Sequence, residues 1–199
     1  MTWEKIKNLI AAGYGQGHFS DYKPWLRVTK RDYSPTSTIG HHPSIAQGRL
    51  HHYRSLGEYA LILVLKWLGA VDVRDQFPVW PWEHDHPGAG LPGFEKPPRL
   101  RGLVSIAKDA GVEHGAYPGT NIPYIATIDI LSTWRRTDQS YYLLAHECKP
   151  FGKVYVPNLL DPTKERLVLT RRYCLEANIP NQLAHPETLN KELIRNLEA

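Results

Sequence analysis

Two apolar stretches constrain this chain more than any other feature. They run from Tyr124 to Trp134 and from Tyr141 to Lys149, and the polar run Arg135-Arg136-Thr137-Asp138-Gln139-Ser140 separates them. They read as adjacent strands joined by a turn. Successive strand side chains point to opposite faces, so Glu147 and Lys149 share one face and Cys148 points to the other. Asp129 sits midway along the first strand, inside Ile-Ala-Thr-Ile-Asp-Ile-Leu. Charged groups in such surroundings need partners, since a broken buried pair costs roughly 3 to 5 kcal/mol. Two carboxylates and an ammonium converging at a sheet edge suit a divalent cation and a water to be activated, the arrangement of metal-assisted hydrolysis.

A chain of 199 residues, 42% of them hydrophobic, with a coarse alternation of strand and helix, has enough apolar material for one substantial core. A single α/β domain is expected. The net charge is only +4, but the basic residues are unevenly spread. From Arg135 to Arg172 there are eight Lys or Arg against four Asp or Glu, and from Asp21 to Arg54 six against two. The excess flanks the proposed carboxylate site, which favours a phosphate-rich substrate over a merely solvated basic face. The two cysteines, Cys148 and Cys174, form no metal or disulfide spacing. No apolar run reaches transmembrane length and the N-terminus lacks a signal-peptide pattern. A soluble, cytoplasmic chain with no membrane contact is therefore expected.

Thr2 is placed to cap a short amphipathic helix from Trp3 to Ala12 that Gly13 closes. The glycine-rich run that follows, Gly13-Tyr14-Gly15-Gln16-Gly17-His18, lacks the preceding strand and the third glycine of a dinucleotide fingerprint, so nucleotide binding is rejected. It reads as a flexible arm leading into an edge strand, or as a backbone arm approaching DNA phosphates. His41-His42 and His51-His52, even with His84 and His86, match no structural zinc spacing.

Ser55-Leu56-Gly57-Glu58 is a capping-box signature opening a helix to about Leu68. Glu58 then has two readings, as the box residue bonding its own helix start and as a third carboxylate reaching Asp129 and Glu147. Val71 to Trp80 reads as a strand broken by Pro78, and Glu83 to Arg101 as a long Pro/Gly loop of the kind that accompanies function or disorder. A short helix is predicted from Leu103 to Ala110. A brief extended piece is predicted at Val154-Tyr155-Val156, and a helix capped by Asp161 runs from Pro162 to about Ala177, with Lys164, Arg166, Arg171 and Arg172 on its surface. The last element is an amphipathic helix from Glu187 to Leu197.

Glu58, then Asp129, then Glu147-Cys148-Lys149 on the next strand resembles the restriction-endonuclease-like core, although Asp followed by Glu-x-Lys is by itself a weak motif. The surrounding runs are more specific. Gly15-Gln16-Gly17-His18, Asp21-Tyr22-Lys23-Pro24-Trp25-Leu26, Gly48-Arg49-Leu50-His51-His52 and Val73-Arg74-Asp75-Gln76-Phe77-Pro78 come first. Ile106-Ala107-Lys108-Asp109-Ala110-Gly111, Glu147-Cys148-Lys149-Pro150 and Arg171-Arg172-Tyr173 follow. In this order the chain resembles the TnsA-type endonuclease subunit of heteromeric, cut-and-paste bacterial transposons, from about Gly15 to Pro180.

That resemblance implies a restriction-endonuclease-like fold with a central mixed sheet flanked by helices. It would have an N-terminal helix and arm over residues 1–30, a catalytic domain over 31–180 and a C-terminal helix over 181–199. It implies a Mg²⁺-dependent endonuclease, with Mn²⁺ able to substitute, that cuts the 5′ strand of double-stranded DNA at transposon ends. A TnsB-type transposase would handle the other strand, and a TnsC-type AAA+ ATPase would regulate both. Carried over, Glu58, Asp129 and Glu147 would be the metal ligands and Lys149 the catalytic lysine beside them. His18, Lys23, Arg135, Arg136, Lys153, Arg171 and Arg172 are the candidates for DNA contact. Many members continue into a further helical domain, which a sequence ending at Ala199 is expected to lack or to carry in minimal form. Two other readings remain, a stand-alone restriction or repair nuclease and a DNA-binding scaffold bridging transposase and ATPase.

Overall fold

A computed structural model describes residues 1–35, 37–44, 47–155 and 162–198. Its centre is a four-stranded mixed sheet in the order β3 (Asp72–Val79), β4 (Ala126–Arg135), β5 (Tyr141–Cys148), β6 (Asn181–Ala184). The first three strands are antiparallel neighbours and β6 runs parallel to β5. Helix α2 (Leu56–Trp67) covers one face, where Leu61, Ile62 and Leu65 pack on Val73, Ile130 and Cys148. Helices α3 (Leu103–Ala110) and α5 (Pro162–Glu176) cover the other, where Ile106, Leu169 and Tyr173 meet Ile128, Leu131, Leu143 and Ala145. Helix α1 (Trp3–Ala11) closes one end through Ile6, Trp25, Trp80 and Ile125. A mixed sheet between helical layers is the α/β architecture of the restriction-endonuclease-like fold.

The β4–β5 hairpin forms as its apolar pattern requires, its polar turn held by Asp138 accepting from Ser140 N at 2.9 Å. Thr2 caps α1 and Ser55 caps α2, each accepting a backbone N–H three residues on. Gly57 allows the first turn of α2 to lie on the sheet: a Cβ there would strike Pro186 and come within 3.0 Å of Cys148 Sγ. That close approach brings Glu58 toward the ends of β4 and β5.

Three expectations are corrected, and one hairpin that was not predicted is added. Pro78 does not break β3, because β3 is the edge strand and Pro78 pairs with Thr127 without needing an outward donor. The polar histidine segment contains a hairpin, β1 (Gly40–Ser44) with β2 (Arg49–Tyr53). The stretch after Pro180 begins with β6, and its helix α6 is confined to Lys191–Glu198. The loop from Glu83 to Arg101 is ordered by a bridge between His84 and Leu100 and by Arg99, which pairs with Glu83 and Asp85, each at 2.7 Å. Tyr155 lies just after the short helix α4 (Phe151–Val154) where extended chain was predicted; Val156 and the cap at Asp161 lie outside the described residues.

The hairpin is joined to the sheet by a buried ionic network. Arg49 pairs with Asp75 at 2.9 Å and Asp72 at 3.1 Å, His51 Nδ1 lies 2.9 Å from Asp75, and Asp75 also accepts from His52 N at 2.8 Å. The runs Gly48–His52 and Val73–Pro78 therefore meet as charge partners. Two cations, Arg49 and Arg74, balance two carboxylates there.

Candidate active site

The ladder between β4 and β5 runs from Arg135↔Tyr141 to Ile130↔His146 and stops there. One position further on, the side chain of Asp129 takes the place of a ladder bond by accepting from Cys148 N at 2.8 Å. Where paired strands part, side chains from both reach a common opening. Lys149 extends its ammonium into it, bonded to Asp129 Oδ2 and 3.5 Å from Glu147 Oε2. The Lys149 backbone is fixed on both sides: its N–H donates to Ala184 O at 3.0 Å and its carbonyl lies 2.8 Å from His185 Nδ1. The unforeseen strand β6 thus anchors the residue on which the site turns.

Glu58 stands at the first turn of α2, and both sequence readings of it find support. It closes the capping box, accepting from Ser55 Oγ at 3.2 Å and from Arg54 N at 2.9 Å. It also feels the Asp129 charge: burial first, and Asp129 second, push its pKa up to about 7. Glu147 is pushed up to about 8 by the same two causes, with Lys149 pulling the other way. Burial works against the charge on Lys149, but Asp129 and Glu147 outweigh it and hold the ammonium above its ordinary range. Three nearby carboxylates against Lys149 and Arg166 leave negative charge in excess, and together with burial this favours the protonated forms of Glu58 and Glu147.

A hard oxygen donor set with surplus negative charge suits Mg²⁺ or Mn²⁺ rather than zinc. Among the described residues no three His, Cys, Asp or Glu side chains stand together as a ready-made metal cluster. Asp129 and Glu147 lean on Lys149, and Glu58 is spent on its cap.

The candidate DNA contacts are scattered. His18 is half-buried, its Nε2 2.9 Å from Ala89 O. Lys23 donates to Ala12 O at 2.7 Å. Arg135 and Arg136 stack over Tyr141 and Tyr142 at the hairpin turn, and six residues of strand put Arg135 about 20 Å from Asp129. Lys153 is exposed just past the site, and Arg171 and Arg172 are exposed on α5. Arg166 on the same helix is close enough to lower the Glu147 pKa, and it was outside that list.

Gln76 was not singled out either. It is 1% exposed in β3, its φ is +49°, and its Nε2 donates to Glu58 Oε2 at 3.0 Å while its Oε1 accepts from Thr127 Oγ1 at 3.4 Å. Nothing in its residue type announces this role; only the backbone conformation does.

No family model matches the chain. A curated relative, the Tn7 transposition protein TnsA of Escherichia coli, is 30% identical over 196 residues, which is 98% of this chain. The chain is TnsA-like. The resemblance drawn from its motif runs is borne out by this relative, which matches over nearly the whole chain. This TnsA-like chain spans 61% of the relative's length. No helix among its described residues is long and apolar enough to cross a membrane.

Proposed function

We propose that this chain is the endonuclease subunit of a heteromeric DNA transposase, a Mg²⁺-dependent enzyme that cuts the 5′ strand at transposon ends. The observation that carries the reading is the meeting of Asp129, Glu147 and Lys149 where β4 and β5 part, with Glu58 facing the same charge. The likeness to a transposition protein supports DNA as the substrate.

Asp129 and Glu147 would hold the metal, and Glu58 would join them by giving up part of its cap. When bound, the ion would neutralise charge on the scissile phosphate and activate water. Lys149, fully charged, would bind a non-bridging phosphate oxygen and stabilise the charge that builds on it in the transition state. It is not a general base, because the carboxylates around it oppose loss of its proton. Arg166 and Lys153 would hold the flanking backbone.

A TnsB-type transposase and a TnsC-type ATPase are the proposed partners, supplying end recognition and regulation. Purified chain incubated with supercoiled plasmid and Mg²⁺ separates the readings. Cutting confined to transposon ends, and only with transposase added, is the predicted result. Vigorous nicking by the chain alone would instead mark a stand-alone nuclease.

A further inference from the structure

Immediately beyond Lys149 the chain turns through Pro150 into α4, which with Tyr155 puts two aromatic rings in solvent. Phe151 is 42% and Tyr155 66% exposed. They are not loose. The Phe151 ring stacks on His185 with centroids 4.0 Å apart and planes 16° from parallel, and Tyr155 lies 5.8 Å from Phe151 and 5.7 Å from His185. His185 is in turn bound to the Lys149 carbonyl at 2.8 Å, so the aromatic cluster and the lysine are tied together. Phe151 N also donates to Glu187 Oε1 at 3.3 Å, fixing the start of the turn. Two peptide units separate the Cα atoms of Lys149 and Phe151 by at most about 7.6 Å, which is within one nucleotide of any phosphate that Lys149 holds.

Two large rings side by side in water are costly unless something covers them, because their apolar area is left hydrated. The charge beside them selects the partner. Lys153 is exposed in the same turn, and Lys149 and Arg166 are both close enough to act on Glu147 at the same strand end. Flat aromatic faces with cations beside them are what a nucleic-acid strand requires: the backbone meets the cations and a base meets a ring.

We propose that Phe151 and Tyr155, backed by His185, form a stacking platform for a nucleobase next to the phosphate that is cut. The platform rests on the nuclease reading above and adds a hold on the strand that does not depend on base identity. It would keep a frayed nucleotide at the transposon end from swinging away, fixing the phosphate against Lys149.

The test uses the full chain with Ca²⁺ in place of Mg²⁺ and two labelled duplexes. One carries a three-nucleotide frayed end, and the other has the same end with its bases removed. Wild type should prefer the base-bearing probe by about tenfold, the usual scale of one aromatic–base stack. Phe151→Ala and Tyr155→Ala should each reduce that preference severalfold while leaving affinity for the abasic probe unchanged, and Tyr155→Phe should retain it. The variants lose only the ring contacts with His185 and with each other, so melting temperatures should shift only slightly. If wild type shows no preference, or the alanine variants keep it, the platform is wrong. If the variants keep it but no longer co-elute with an added transposase, the face belongs to a protein contact and the proposal is equally wrong. Wild type that cuts transposon ends with transposase added yet shows no base preference sinks the platform alone, whereas wild type that cuts nothing even with transposase added and binds neither probe sinks the nuclease reading as well.

Discussion

Gln76 reaches Glu58 from the neighbouring strand, its amide 3.0 Å from Oε2, and it does so from a backbone conformation that side-chain-bearing residues rarely adopt, φ +49°. Strain of that kind persists where the surrounding structure over-determines it, and it gathers at functional sites. Here it aims a buried amide at a candidate ligand and so limits where that carboxylate can point.

Replacing Gln76 separates the backbone effect from the side-chain effect. Both Gln76→Ala and Gln76→Gly lose the amide, but only alanine keeps a Cβ in the left-handed region. Gln76→Gly should therefore be the more stable of the two by about 1 kcal/mol, and both should cleave DNA more slowly than wild type. Urea denaturation alongside a cleavage assay reads both quantities, and equal stability of the pair would mean the backbone relaxes.

The capping box can be weakened without touching the carboxylates. Ser55→Ala removes the acceptor for Glu58 N and the donor to Glu58 Oε1. It should cost about 1 kcal/mol of stability and leave Mg²⁺ affinity, measured by calorimetry, at least as tight as in wild type. A weaker cation site would show that the cap holds Glu58 in its binding position instead of competing for it.

Stability should depend on pH in a definite direction. Glu58 and Glu147 have pKa values of about 7 and 8 in the folded chain against an ordinary 4.5. The folded state thus binds more protons than the unfolded state in that window. The stability this contributes is complete below about pH 4.5 and is lost as pH rises through 7 and 8. Cation-free protein should lose stability over that rise, with a shallower loss in Glu147→Gln. Mg²⁺ should raise the melting temperature more at pH 8 than at pH 6. Thermal melts at both values, with and without Mg²⁺, check each sign.

Arg49 lies outside the proposed chemistry yet should matter more for folding than any surface charge. Its guanidinium bonds Asp72, Asp75 and the Phe19 carbonyl in a nearly dry setting. Arg49→Met would leave two buried carboxylates short of a cation and should cost roughly 3 to 5 kcal/mol, read as a shift in denaturation midpoint.

What the sequence made legible follows from periodicity and caps. The β4–β5 pair, both N-caps and the helix Leu103–Ala110 were visible because alternation, Ser or Thr before an apolar run, and a closing glycine are local signals. The strand β6 was not, because four residues with two amides carry no alternation and are held by pairing with β5, a contact distant in sequence. Pro78 misled for a related reason: whether proline breaks a strand depends on whether that strand lies at an edge, which only the assembled sheet decides. In the site, Asp129, Glu147 and Lys149 could be read from charge placed in apolar text. Gln76 and His185 could not, since an amide in a strand and a histidine in a polar stretch become informative only once their partners are known.

The proposed cleavage requires Asp129 and Lys149 to act together on one DNA strand. With a cognate transposase, a donor element and Mg²⁺, strand-specific mapping of the transposon ends in Asp129→Ala and Lys149→Ala should show no 5′-strand cut while the partner still joins the other strand, so that fused molecules replace excised ones. Normal 5′-strand cleavage by either variant would contradict it.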